Sequence, residues 1–120
     1  KYKAIFEKYG LINVFLITPQ TSTERIKFID SISNGFIYMV SSASVTGSQS
    51  GFGDNQKHYF ERISNMDLKN PQIIGFGINN NDTFNQATQY SKGAIIGSAF
   101  IKFLTDNSVT EIHDFVKAIR

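Results

Sequence analysis

The sequence contains no cysteine, which excludes disulfide frameworks, thiolate zinc sites and thiol nucleophiles together. It has two prolines and no Pro/Gly/Ser-rich linker long enough to separate one domain from another. No apolar run reaches the roughly 18 residues that a bilayer-spanning helix needs, so no membrane association is expected. Charge is scarce too. Twelve Lys+Arg stand against ten Asp+Glu, a net charge of +2, which leaves no electrostatic footprint for nucleic acid despite a pI near 8.9. The start is amphipathic and charged rather than a basic stub with an apolar core, so it does not read as a cleavable signal. The two histidines, His58 and His113, lack ligand spacing and read as surface or packing residues, so no metal site is expected.

What the chain does have is an alternation. Lys1 to Tyr9 carries Tyr2, Ile5, Phe6 and Tyr9 at helical spacing and stops at Gly10. Leu11 to Thr18 is a nearly continuous apolar run. Thr21 to Glu24 offers capping residues for a helix with Ile26, Ile29 and Ile32 on one face. Gly35 to Ser41 is a second apolar run, followed by a Ser/Gly-rich stretch, Ser42 to Asp54. A helix bearing Tyr59, Phe60 and Ile63 follows, with Asp54 or Asn55 as its expected cap. Gln72 to Ile78 is the third run, and Asn81-Asp82 is expected to cap the helix after it. Gly93 to Ile96 is the fourth run. A short helical piece over Ile101 to Leu104 and a final helix, Val109 to Arg120, with Ile112, Phe115, Val116 and Ile119 inward, complete the pattern.

Apolar strands, each followed by an amphipathic helix, predict an α/β protein with a parallel sheet covered by helices. Four such units could form an open flavodoxin-like sheet with helices on both faces. They could equally be half of an eight-stranded barrel with both sheet edges waiting for other strands. The leading helix favours the second arrangement, because it is a unit without its strand. Lys1 in place of Met points the same way, to a segment of a longer chain.

In parallel α/β folds ligands bind in the loops after the strands. The first loop, Thr18 to Thr21, reads as a capped turn. The second, Ser42 to Asp54, is long, aperiodic and rich in hydroxyls, and is expected to be a mobile lid. The third, Gly75-Phe76-Gly77, could let backbone N–H groups approach an anion closely. The fourth, Gly97-Ser98-Ala99, opens onto a helix N-terminus, where unpaired N–H groups and the dipole favour negative charge. Loops three and four together predict a phosphate cradle. No acidic residue falls at a strand's C-terminal end, so no catalytic residue is assigned. Asp54 and Asp82 read as helix caps, and Tyr38 as a core aromatic or a residue pointing into a barrel mouth. No histidine neighbours Ser41, Ser42 or Ser44 to make a nucleophile.

Three stretches carry a resemblance: Phe36-Ile-Tyr-Met-Val-Ser-Ser-Ala-Ser-Val-Thr-Gly47, Ile74-Gly-Phe-Gly-Ile78 and Gly93-Ala-Ile-Ile-Gly-Ser-Ala-Phe100. In that order and at those distances the chain resembles the C-terminal half of the tryptophan synthase α subunit family. The resemblance implies the C-terminal half of a (β/α)8 TIM barrel, four parallel strand–helix units preceded by one helix, with residues 1–120 forming one segment, units five to eight. It implies a cytoplasmic lyase of tryptophan biosynthesis that cleaves indole-3-glycerol phosphate to indole and glyceraldehyde 3-phosphate. The indole passes to a β subunit partner, which alone carries pyridoxal phosphate. Gly47, Gly77, Gly97 and Ser98 are carried over as phosphate-binding positions. Tyr38, Phe76 and Thr46 lie near the substrate, Thr46 reaching toward the catalytic aspartate. The catalytic glutamate and aspartate belong to the first half of the barrel, so the isolated segment is expected to be inactive.

At about 250 residues for a complete barrel, 120 residues make about half of one, with apolar strand edges uncovered. The isolated chain is therefore expected to self-associate. Sedimentation at rising concentration checks this, and a well-behaved monomer would refute it.

Overall fold

A computed structural model describes residues 1–42 and 51–120. Helix α1 (Tyr2–Lys8) precedes four strand–helix units: β1 (Phe15–Ile17) with α2 (Thr23–Ile32), β2 (Ile37–Val40) with α3 (Asp54–Ser64), β3 (Gln72–Gly75) with α4 (Asn81–Thr88), and β4 (Gly93–Ile95) with α5 (Ser98–Asp106). A 3-10 turn over Val109–Glu111 then leads into α6 (Ile112–Ile119). The strands form one parallel sheet in the order β1-β2-β3-β4.

That order decides between the two architectures. A flavodoxin-like sheet needs a switch point where the strand order reverses, and here each strand pairs with its neighbour in sequence. Crossovers between parallel strands are right-handed, so a sequential order puts successive helices on one face. The burial agrees. Ile17, Ile37, Met39 and Ile74 are buried in one core with Ile26 and Ile29 of α2, Tyr59, Phe60 and Ile63 of α3, and Ala87 of α4. On the opposite face, Leu16, Tyr38 and Ile73 share a register row, and Leu16 remains 56% exposed. This is the layout of half a barrel, with its inner face uncovered.

The strands are shorter than their apolar runs. Leu11 and Ile12 are exposed and precede β1, and β3 ends at Gly75 because Phe76 and Gly77 turn the chain with φ of 70° and 77°. Gly10, with φ 67°, ends α1 as expected. Ser22 caps α2 by accepting a hydrogen bond from the Arg25 N–H. Two expected caps shift by one residue. The N-cap of α3 is Gly53 and that of α4 is Asn80, so Asp54 and Asp82 instead occupy first turns, where a carboxylate still complements the helix dipole. Helix α5 begins at Ser98, earlier than its apolar spacing suggested. In α6 Ile119 is buried, whereas Val116, expected to face inward, is 44% exposed. Among the described residues no helix is long and apolar enough to cross a membrane.

At the N-terminal end of the sheet, one buried acid ties α2 to the loop before β3. Asp30, near the end of α2, accepts hydrogen bonds from the backbone N–H groups of Lys69 (2.8 Å) and Asn70 (2.9 Å), and from Asn70 Nδ2 (2.9 Å). Asn70 Nδ2 also donates to the Asp30 carbonyl. Burial by itself raises the pKa of Asp30, but the Asn70 and Lys69 donors outweigh it and hold the carboxyl below its usual range. Its folded pKa thus lies below the unfolded one, near 3.9. The carboxylate therefore stabilises the fold above that pH, and the contribution is lost as the pH falls through the folded value. Asp30→Ala is expected to cost about 2–3 kcal/mol in urea unfolding at neutral pH, a difference that shrinks on acidification below about pH 4. An unchanged gap at low pH would contradict the charged pairing.

Candidate functional site

The C-terminal ends of β2, β3 and β4 open onto a cavity of about 310 Å³ lined by Tyr38, Phe76, Gly77, Ile78, Asn79, Ile95, Gly97, Ser98 and Ala99. Five of the residues expected to hold or neighbour a ligand, Tyr38, Phe76, Gly77, Gly97 and Ser98, meet here. Gly47 and Thr46 lie outside the described residues, as does much of the expected lid, residues 43–50.

Each wall has a local cause. Tyr38 sits on the inner face of β2, and its ring lies 5.9 Å from that of Phe76 at 54°. Burial pushes its phenol pKa up. Gly75 faces it directly, since a Cβ there would fall inside the Tyr38 hydroxyl and ring. Beyond Gly75, the left-handed φ of 70° at Phe76 costs a bulky L-residue about 1–2 kcal/mol, a strain kept where the surroundings impose it. Ser41 imposes it. Its N–H donates to the Gly75 carbonyl at 2.9 Å, and its buried hydroxyl lies 2.7 Å from that oxygen and 2.6 Å from the Phe76 carbonyl oxygen.

The other wall is the start of α5. The first N–H groups of an α-helix have no partner inside the helix. Ser22 and Asn80 satisfy such donors in α2 and α4. At α5 the N-cap is Gly97, with no side-chain cap. Gly97 and Ser98 are exposed, and nothing lies within 4 Å of where a Gly97 Cβ would stand. The cavity has no charged lining residue, so what it could offer an anion is backbone N–H groups, the helix dipole, the Tyr38 and Ser98 hydroxyls and the Asn79 amide.

His58 and His113 are exposed, as is every acidic residue other than Asp30, and Asp30 is committed at the far end of the sheet. Among the described residues, no group of three His, Cys, Asp or Glu could hold a metal ion. Two residues carried no signal in the sequence. Ser41 bonds to groups 34 and 35 positions away. Gln86 accepts from the Phe52 N–H and fixes the returning stem of the β2–α3 connection.

Four in-order parallel strands, helices on one face and a ligand cavity at the C-terminal strand ends define half of a (β/α)8 barrel. The sequence model for "Tryptophan synthase alpha chain" matches residues 1–119, and the chain belongs to that family. It is 77% identical over all its 120 residues to the tryptophan synthase alpha chain of Flavobacterium johnsoniae, covering 47% of that protein. To that of Christiangramia forsetii it is 66% identical, again over 47% of the relative. The chain thus spans about half the length of the curated relatives it matches. A solved tryptophan synthase subunit alpha from Campylobacter jejuni superposes with a TM-score of 0.80 over 98% of this chain and 47% of its own, at 22% identity, which supports the fold.

Gly75→Ala is expected to displace the Tyr38 ring and cost about 1–3 kcal/mol through overpacking, read by thermal unfolding. An unperturbed Tyr38 in a structure of the variant would refute the close approach.

Proposed function

We propose that this chain supplies the phosphate-gripping half of a lyase that cleaves indole-3-glycerol phosphate to indole and glyceraldehyde 3-phosphate in tryptophan biosynthesis. The observation that carries the proposal is the convergence of Gly77, Gly97, Ser98 and the uncapped start of α5 on one cavity. Those N–H groups and the Ser98 hydroxyl would hold the phosphate. Tyr38 and Phe76 would stand beside the glycerol chain, with Gly47 and Thr46 contributed from the β2–α3 connection.

The cleavage breaks the bond between the indole ring and the adjacent glycerol carbon. A base removes the proton of the hydroxyl on that carbon, an aldehyde forms, and the bonding pair returns to the ring, where an acid protonates it. The exposed acids of this chain lie away from the cavity lining. We therefore assign the acid–base pair, a glutamate and an aspartate, to the other half of the barrel, and the segment by itself is inactive. No cofactor enters this step. A β subunit carrying pyridoxal phosphate is the proposed recipient of the indole, and the cytoplasm the proposed location.

Joining the N-terminal half of the Flavobacterium johnsoniae relative to this chain is expected to yield a barrel that releases indole from indole-3-glycerol phosphate. In that barrel Gly97→Asp places a carboxylate in open space beside the anion site, so the fold should persist while KM rises at least about a hundredfold. A folded barrel without indole release would sink the activity. An unchanged KM in Gly97→Asp would sink the phosphate site.

A further inference from the structure

We infer that Ser41 is a positioning residue for the anion site, acting through the Phe76–Gly77 peptide. The inference rests on the phosphate reading above and adds a residue that never touches the ligand. Ser41 is buried, 5% exposed, at the end of β2, and it does not line the cavity. Its one hydroxyl proton is shared between the Gly75 and Phe76 carbonyl oxygens, at 2.7 and 2.6 Å. In a trans peptide the C=O and the following N–H point in opposite directions. Holding the Phe76 carbonyl against Ser41 therefore turns the Gly77 N–H away from Ser41, in the opposite direction within the peptide plane, and Gly77 lines the cavity. Without the hydroxyl, the Phe76 carbonyl loses its partner on the β2 side. The strained φ of 70° at Phe76 is then free to relax toward the right-handed region, carrying the Gly77 N–H with it. Ser41 thus converts a buried hydrogen bond at the end of β2 into the direction of a donor at the cavity.

The test uses the complete barrel, this chain joined to the N-terminal half of the Flavobacterium johnsoniae relative, with glycerol phosphate as the probe in isothermal titration and glycerol as its phosphate-free control. Ser41→Ala is expected to weaken glycerol phosphate binding about tenfold, and to raise KM for indole-3-glycerol phosphate by a similar factor with kcat nearly unchanged. Ser33→Ala is the control for a merely structural loss. It removes an equally buried hydroxyl, bonded to the Ile29 carbonyl at 2.7 Å, at the other end of the sheet, and should leave both constants alone. Should Ser41→Ala fail to fold, Ser41→Cys, which keeps a weak donor at similar size, should show the same change in affinity to a smaller degree. Binding by wild type and equal binding by the folded Ser41 variant would overturn the role of Ser41 alone. Failure of the wild-type barrel to bind glycerol phosphate would overturn the phosphate reading and the role of Ser41 with it.

Discussion

A parallel strand can be followed by its neighbour only after the chain has crossed back over the sheet, and the twist of strands makes that crossing right-handed. With β1 to β4 paired in sequence order, successive helices pack on one side, and every strand ends at the same rim. Much of this molecule follows from that constraint. Ile17, Ile37, Met39 and Ile74 go under the helices, while Leu16, Tyr38 and Ile73 form a row on the opposite face of the sheet. Fully burying a large apolar side chain is worth about 1.5–3 kcal/mol, so an uncovered Leu16 at 56% exposure marks a face built to be closed by further strands.

The same constraint gathers the β3 and β4 turns into one rim, where backbone rather than side-chain charge can do the binding. Phosphate sites built from N–H groups need chain geometry that side chains oppose. Here glycine removes the opposition at Gly77, and Phe76 adopts the same left-handed region with its carbonyl hydrogen-bonded to Ser41. The aromatic ring at position 76 then packs against Tyr38, so one strained residue shapes both the anion end and the apolar wall of the cavity. Gly75 belongs to the same arrangement, since the Tyr38 ring occupies the space its side chain would take.

The order of elements could be read from the apolar runs, because strands buried on one face by helices and on the other by a barrel interior stay apolar along their length. The small-residue loops after β3 and β4 could be read as neighbours at the strand ends from the order of the elements, and Gly77, Gly97 and Ser98 do line one cavity. What escaped is non-local or set by single dihedrals. Strand β3 stops at Gly75 although the apolar run continues to Ile78, because the turn at Phe76 leaves no mark in hydropathy. Asn80 caps α4 through reciprocal bonds with Thr83, while the neighbouring Asn81 and Asp82 look equally suited in the sequence. Asp30 and Ser41 find their partners 34 to 40 positions away, and nothing near either residue distinguishes it from a surface acid or a loop serine.

The separation between grip and chemistry has a physical basis as well. An anion held by N–H dipoles needs no charged neighbour, and a carboxylate beside it would raise the cost of binding through like-charge repulsion. The cavity of this half fits that requirement: neutral donors at the rim, no acid in its lining, and its one buried carboxylate at the opposite end of the sheet. The proposed cleavage, in contrast, needs two groups that exchange protons several atoms from the phosphate. In the proposed enzyme, placing those groups on strands across the barrel would let the substrate span the interior, with its phosphate at the helix N-terminus and its reacting carbon toward the other half. On the proposed reading, half of the barrel can therefore carry anion-binding loops and still depend on the facing strands for the reaction.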